Sequence, residues 1–179
     1  MKKLLLFTLI IASVFITFSS SAQKARGPRP SPPDTVRATL NNGVYVEIAY
    51  SQPSIKGRTV GKEIAPFNGK VWRTGANEAT TIEFSRPVKI EGKELPAGKY
   101  GLYTIPGEKE WVIIFNSVWK IWGLNYTNDE LTGSKTDVLR VTVKTQKAPE
   151  FTEKLKFTIE KSGKVSFAWG DYMVAFNVK

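Results

Sequence analysis

The chain is expected to fold as a single all-β domain, an antiparallel β-sandwich of about nine or ten strands, with a closed β-barrel as the alternative. Three observations lead there. Apolar and polar residues alternate with period two along most of the chain, turn residues recur at short intervals, and no amphipathic pattern is long enough for a three-turn helix.

The first 22 residues stand apart from that pattern. Met1-Lys2-Lys3 is followed by an apolar run from Leu4 to Phe18 and by the small residues Ser19, Ser20, Ser21 and Ala22. That order is the one a secretory signal peptide has, with cleavage expected between Ala22 and Gln23. A retained membrane anchor is the alternative, but the run is shorter than the ~20 residues a spanning helix needs. No cysteine lies near the cut to carry a lipid, and none is present to form disulfides. Residues 23–34, with Arg26, Gly27, Pro28, Arg29, Pro30, Pro32 and Pro33, read as an extended leader, and residues 35–179 as one β domain.

The strands follow in order. Val36, Ala38 and Leu40 alternate with Arg37 and Thr39, and Asn41-Asn42-Gly43 supplies a tight hairpin into Val44, Val46, Ile48 and Tyr50. Ser51 to Gly75 holds Pro53, Gly57, Gly61, Pro66, Gly69 and Gly75 and reads as a long loop, a length that is often functional. Alternation resumes at Thr80, Ile82 and Phe84, then at Val88 and Ile90, with turns at Glu91-Gly92 and Pro96-Ala97-Gly98. Tyr100–Ile105 and Trp111–Phe115 form a second hairpin, whose later strand is apolar on both faces and should be covered from both sides. Asn116 to Lys135 is irregular, with one helical turn expected around Val118 to Gly123. Leu139–Lys144, Leu155–Ile159 and Val165–Val178 complete the set.

The stretch Gly69-Lys70-Val71-Trp72-Arg73-Thr74-Gly75-Ala76-Asn77-Glu78-Ala79-Thr80-Thr81-Ile82, with Tyr50-Ser51-Gln52-Pro53, Lys56-Gly57-Arg58, Pro96-Ala97-Gly98-Lys99-Tyr100 and Ile105 to Trp111, resembles the domain of unknown function 2911 family. The likeness runs from about Val36 to Val178. It implies an exported bacterial protein and a domain boundary, and brings no catalytic residues with it.

Composition narrows the chemistry. The absence of histidine and cysteine removes Ser-His-Asp hydrolysis, Cys-His catalysis and His- or Cys-based metal sites. No Gly-rich phosphate loop is present, and neither a cofactor nor a metal is expected. The net charge of +10 falls by two when Lys2 and Lys3 leave with the signal. Export argues against nucleic acid as the partner of that charge, and no stable membrane insertion is expected of the processed chain. The candidate partners are an anionic or glycan-like ligand or an envelope protein; alternatively, the charge serves solubility alone.

Three constellations carry candidate residues. In the loop region Arg58, Trp72, Arg73, Asn77 and Glu78 combine donor forks, a stacking face and an amide, a set suited to an anionic or sugar-like ligand. The competing expectation is that Arg73 pairs with Glu78 and Asn77 caps a bulge. Trp119 and Trp122 lie outside any clear strand and offer surfaces for sugar rings, whereas Trp111 and Trp169 belong to the core. Asn125, Asn128, Asp129 and Glu130 resemble a calcium loop only loosely, and a solvated turn explains them as well. The leading expectation is a non-enzymatic binding module. A glycan hydrolase with Glu78 paired to Glu63 or Glu110, and a scaffold without a small-molecule site, are the alternatives.

Overall fold

A computed structural model describes residues 29–122 and 135–179. Those residues contain no helix and form nine strands: β1 Pro33–Thr39, β2 Tyr45–Ser51, β3 Thr81–Phe84, β4 Val88–Ile90, β5 Lys93–Leu95, β6 Gly98–Ile105, β7 Glu110–Asn116, β8 Asp137–Ile159 and β9 Lys164–Asn177. Seven make one antiparallel sheet in the order β1-β2-β3-β6-β7-β8-β9, and β4 and β5 make a separate hairpin.

The turns follow from backbone chemistry. The β1–β2 hairpin closes with Leu40 N–H on the Val44 carbonyl at 2.8 Å, and Gly43 takes the left-handed conformation at φ 81°. In the β4–β5 turn both Glu91 (φ 48°) and Gly92 (φ 81°) are left-handed, the geometry whose twist matches the flanking strands.

Alternation sends Val46, Ile48, Ile82, Phe84, Leu102, Trp111, Ile113 and Phe115 into one main core. β7 is covered on its second face too, where Ile114 joins Tyr103, Val71 and Ala79 in a smaller cluster. That is the two-sided burial expected of the run Trp111 to Phe115.

The last two strands of the sheet, β8 and β9, are its longest. The first part of β8 pairs with β7, Glu110 opposite Lys144, and its last part pairs with β9, Phe157 opposite Phe167. The sheet curls and brings β8 back to the end of β2, where Leu155 N–H donates to the Pro53 carbonyl at 3.0 Å and Ile55 N–H to the Glu153 carbonyl at 2.9 Å. The β4–β5 hairpin joins the far end of β9 through the bridge between Ile90 and Val178. The architecture is all-β, a curled sheet between a sandwich and a half-barrel.

Two local expectations are corrected. Leu139–Lys144 and Leu155–Ile159 are parts of one strand, since β8 runs on through Pro149. Register shifts between Lys147 and Thr152, and again before Lys156, absorb the missing Pro donor, which strands tolerate at bulges. The helical turn expected around Val118 does not form over residues 118–122. There the chain is extended enough for Trp122 to bridge Glu78 instead.

Candidate functional site

The stretch from Thr74 to Thr81 is built by close approach. Thr74 Oγ1 and Thr104 Oγ1 lie 3.1 Å apart in the interior, and Thr80 Oγ1 donates to the Thr74 carbonyl at 2.9 Å. A Cβ at Gly75 would stand 2.6 Å from Thr80 Oγ1, so glycine lets the turn close. Thr74 (φ 53°) and Asn77 (φ 59°) are left-handed, a conformation that Asn tolerates and a β-branched residue resists. The turn carries Asn77 and Glu78 to the surface.

A second segment lies against it. Gly101 has room only for hydrogen, because a Cβ there would meet the Tyr103 ring at 2.7 Å and the Val118 carbonyl at 2.8 Å. The chain after β7 therefore crosses closely over β6. Val118 N–H donates to Asn116 Oδ1 at 2.8 Å, and Ala79 N–H donates to the Ile121 carbonyl at 3.0 Å. This pairing fixes Trp119 and Trp122 beside Glu78.

Between that segment and the outer face of the sheet is a cleft of about 320 Å³, lined by Glu78, Ala79, Thr81, Lys99, Lys120 and Ile121 together with both tryptophans. Trp122 is 75 % exposed and Trp119 36 %. The Lys99 ammonium stands 5.1 Å from the centre of the Trp119 ring and 3.5 Å from Glu83. A cation at that distance is attracted by the ring quadrupole.

Glu78 is held from the other side by the leader. Arg29 Nη1 reaches both carboxylate oxygens, at 2.7 and 2.9 Å, and Asn77 Nδ2 donates to the Ser31 carbonyl at 3.0 Å. The backbone N–H of Glu78 itself, and then the Arg29 guanidinium, keep the carboxyl below the usual carboxylate range. A smaller cavity of about 160 Å³ adjoins the cleft and is lined by Asp34, Thr35, Ala49, Tyr50 and Ser51, with Glu78, Ala79 and Thr81 common to both.

The structure thus brings Glu78, Trp119 and Trp122 together, with Asn77 adjacent. It does not bring Arg58 and Trp72 there. Arg58 folds back on its own loop, donating to the Ser54 and Ile55 carbonyls at 2.7 and 2.9 Å. Trp72 packs against the core, stacked on Trp169 with ring centres 5.4 Å apart and planes 7° from parallel. Arg73 does not pair with Glu78; it lines neither cavity, and its buried Nε finds no acceptor. Glu63 accepts the Thr59 N–H at 2.8 Å and Glu110 lies on β7, so neither shares the cleft with Glu78. The run Asn125, Asn128, Asp129 and Glu130 falls outside the described residues, among which no group of three or more acidic side chains is placed to hold a metal.

Sequence reasoning missed Arg29, Asp34, Lys99 and Lys120. Lys99 stands in the distinctive Pro96-to-Tyr100 stretch, and Tyr50 and Gln52, both donors to Asp34, stand in Tyr50-Ser51-Gln52-Pro53. Two further depressions, of about 400 and 500 Å³, lie around Phe151 and around Asp171, and neither contains a tryptophan.

Neither the curated proteins nor the solved structures contain a match to this chain. A family model matches residues 31–178, a span that takes in the nine strands of the described residues and the lining of both cavities. The chain belongs to the family described as Protein of unknown function (DUF2911).

Proposed function

We propose that the protein is an exported, non-enzymatic module that binds a glycan carrying anionic groups in the cleft of Trp119 and Trp122. The observation that carries this reading is the pair of exposed indoles beside Lys99 and Lys120. Indoles left in water are costly to keep and present the flat apolar faces on which sugar C–H groups stack. Lys99, 5.1 Å from the centre of the Trp119 ring, and Lys120, which lines the same cleft, supply point charges for carboxylates or sulfates, and Glu78 accepts hydrogen bonds from hydroxyls. Export is supported by the order of charge, apolar run and small residues at the start of the chain.

Among the residues that line the tryptophan cleft Glu78 is the one carboxylate, and it is unsuited to the acid role of a glycosidase. A glycosidase acid must hold a proton at neutral pH, so its pKa is raised. Glu78 is shifted the other way, by its own N–H and by Arg29.

The test is titration of intrinsic tryptophan fluorescence with oligogalacturonides and chitooligosaccharides, confirmed by calorimetry. Saturable binding is expected, and Trp122→Ala should weaken it by roughly tenfold, about 1.4 kcal/mol, with an unchanged melting temperature. A wild-type protein that binds none of these sugars, or a Trp122→Ala variant that binds them equally well, overturns the proposal.

A further inference from the structure

A second, smaller cavity adjoins the cleft at Glu78. Because Val36, Ile48 and Ile82 point into the core, their neighbours Thr35, Ala49 and Thr81 stand on the opposite face, in register across β1, β2 and β3. They line the smaller cavity, which shares Glu78, Ala79 and Thr81 with the tryptophan cleft. Together the two cross three inter-strand spacings from β1 to β6, about 14 Å. One flank carries Arg37, Glu47, Glu83 and Lys99 in register, and the other carries Asp34, Tyr50 and Ser51.

Resting on the reading of the cleft as a glycan site, we infer that the two cavities form one groove for a linear acidic oligosaccharide lying across the strands. Its end is seated on Trp119 and Trp122, and Arg29, which itself lines neither cavity, neutralises Glu78 at its waist. Glu78 lies where the two cavities meet, and alone it would set a carboxylate against an acidic chain. Arg29 removes that repulsion, its guanidinium bound to both oxygens of Glu78. The cleft then keeps the charge of Lys120, which makes no ion pair among the described residues. The tryptophan end of the groove therefore takes the uronate groups, and the far half, lined by Asp34 and Ser51 with no basic side chain, takes hydroxyls of the same chain, which favours oligomers over single sugars.

Calorimetry of the full processed chain with galacturonate oligomers of one to six residues tests the length. Affinity should rise by roughly tenfold or more from the disaccharide to the tetrasaccharide and then level off. Ala49→Trp fills the far half and should abolish this rise while short oligomers bind as before. Thr35→Tyr serves the same end should Ala49→Trp not fold. Arg29→Ala should weaken binding of a uronate tetramer more than of a chitotetraose.

Affinity that is saturable but independent of length refutes the groove and leaves the tryptophan cleft standing. Failure of every sugar to bind refutes both. Tighter uronate binding by Arg29→Ala would make Arg29 a competitor for Glu78 and overturn its assigned role.

Discussion

Tyr50→Phe removes one oxygen at a point where the two ends of the curled sheet meet. The Tyr50 hydroxyl donates to Asp34 Oδ2 at 2.8 Å and accepts from the Phe157 N–H at 3.2 Å, and Gln52 Nε2 stands 3.4 Å away. The ring packs edge-on against Phe157 with centres 4.7 Å apart, a contact phenylalanine keeps. The variant therefore isolates the hydroxyl. It deletes a hydrogen bond to a carboxylate and strips a buried N–H of this acceptor, and each such loss costs about 1–3 kcal/mol. Asp34 keeps Gln52 and the Thr35 N–H, at 3.0 and 2.8 Å, so the two costs do not add fully. The expected destabilisation is about 2–3 kcal/mol, or about 5–10 °C in Tm for a domain of this size. Urea unfolding should show a lower midpoint at unchanged slope.

The same residue makes an alkaline prediction. Burial, followed by the hydrogen bond to Asp34, pushes the Tyr50 pKa above its ordinary value, against the opposing effect of the Phe157 N–H. The folded state thus prefers the neutral phenol. Its contribution is full below the unfolded pKa of ~10 and is lost as pH rises from there through the folded value. The difference between wild type and Tyr50→Phe should shrink above pH ~10. A loss below about 0.5 kcal/mol at neutral pH would show that water replaces the hydroxyl at Phe157, and the argument for a sealed seam would fail.

Trp72→Ala should cost about 3–4 kcal/mol in urea unfolding, because its ring packs on Trp169 and Trp111. A cost as small as a surface substitution would mean that the ring is not part of the core. Arg73→Met should be neutral, or stabilising by up to about 1 kcal/mol, since burial alone pushes its pKa down and no acceptor meets Nε. A loss beyond about 1.5 kcal/mol would reveal a partner for the guanidinium. Glu47 is held below the usual carboxylate range first by the hydrogen bond from Arg37, so its stabilisation is present above the unfolded pKa of ~4.3 and is lost as pH falls. Carbon-detected NMR of the Glu47 carboxyl should show its titration moving up toward ~4.3 in Arg37→Ala, and an unmoved midpoint would remove Arg37 as the cause.

The hairpins were legible because their signals are local. Asn41-Asn42-Gly43 and Glu91-Gly92 put left-handed residues where a turn needs them, and Trp111 to Phe115 is apolar at every position. The length of β8 was not legible. Ala148-Pro149 interrupts the alternation, and the pairing with β9 that lapses after Lys147 resumes only at Thr152. In the site, the Gly69-to-Ile82 motif and the two loop tryptophans stood out by composition. Arg29 and Lys99 did not, because what recruits them is proximity across the fold. The expected Arg73–Glu78 pair failed for a local reason, since left-handed Thr74 and Asn77 fall between the two residues and send them into different surroundings.

That distinction bears on how the family motif should be interpreted. Gly75 and Gly101 sit where a Cβ would collide with a side chain or a carbonyl, and Thr74, Thr80 and Thr104 tie the turn from within. Tyr50 and Gln52 hold the seam. Substitution at any of these acts on the platform, so they report that the turn and the crossing segment are kept. If the cleft is the glycan site proposed above, specificity rests with the side chains the platform displays: Glu78 with its Arg29, Lys99, Lys120, Trp119 and Trp122. Two chains could keep every glycine and threonine of the platform and still bind different sugars, provided that the lysines or tryptophans differ. Glu78 and Lys99 lie both in the stretches that carry the family resemblance and in the cleft, whereas Trp119, Lys120 and Trp122 line the cleft from outside those stretches.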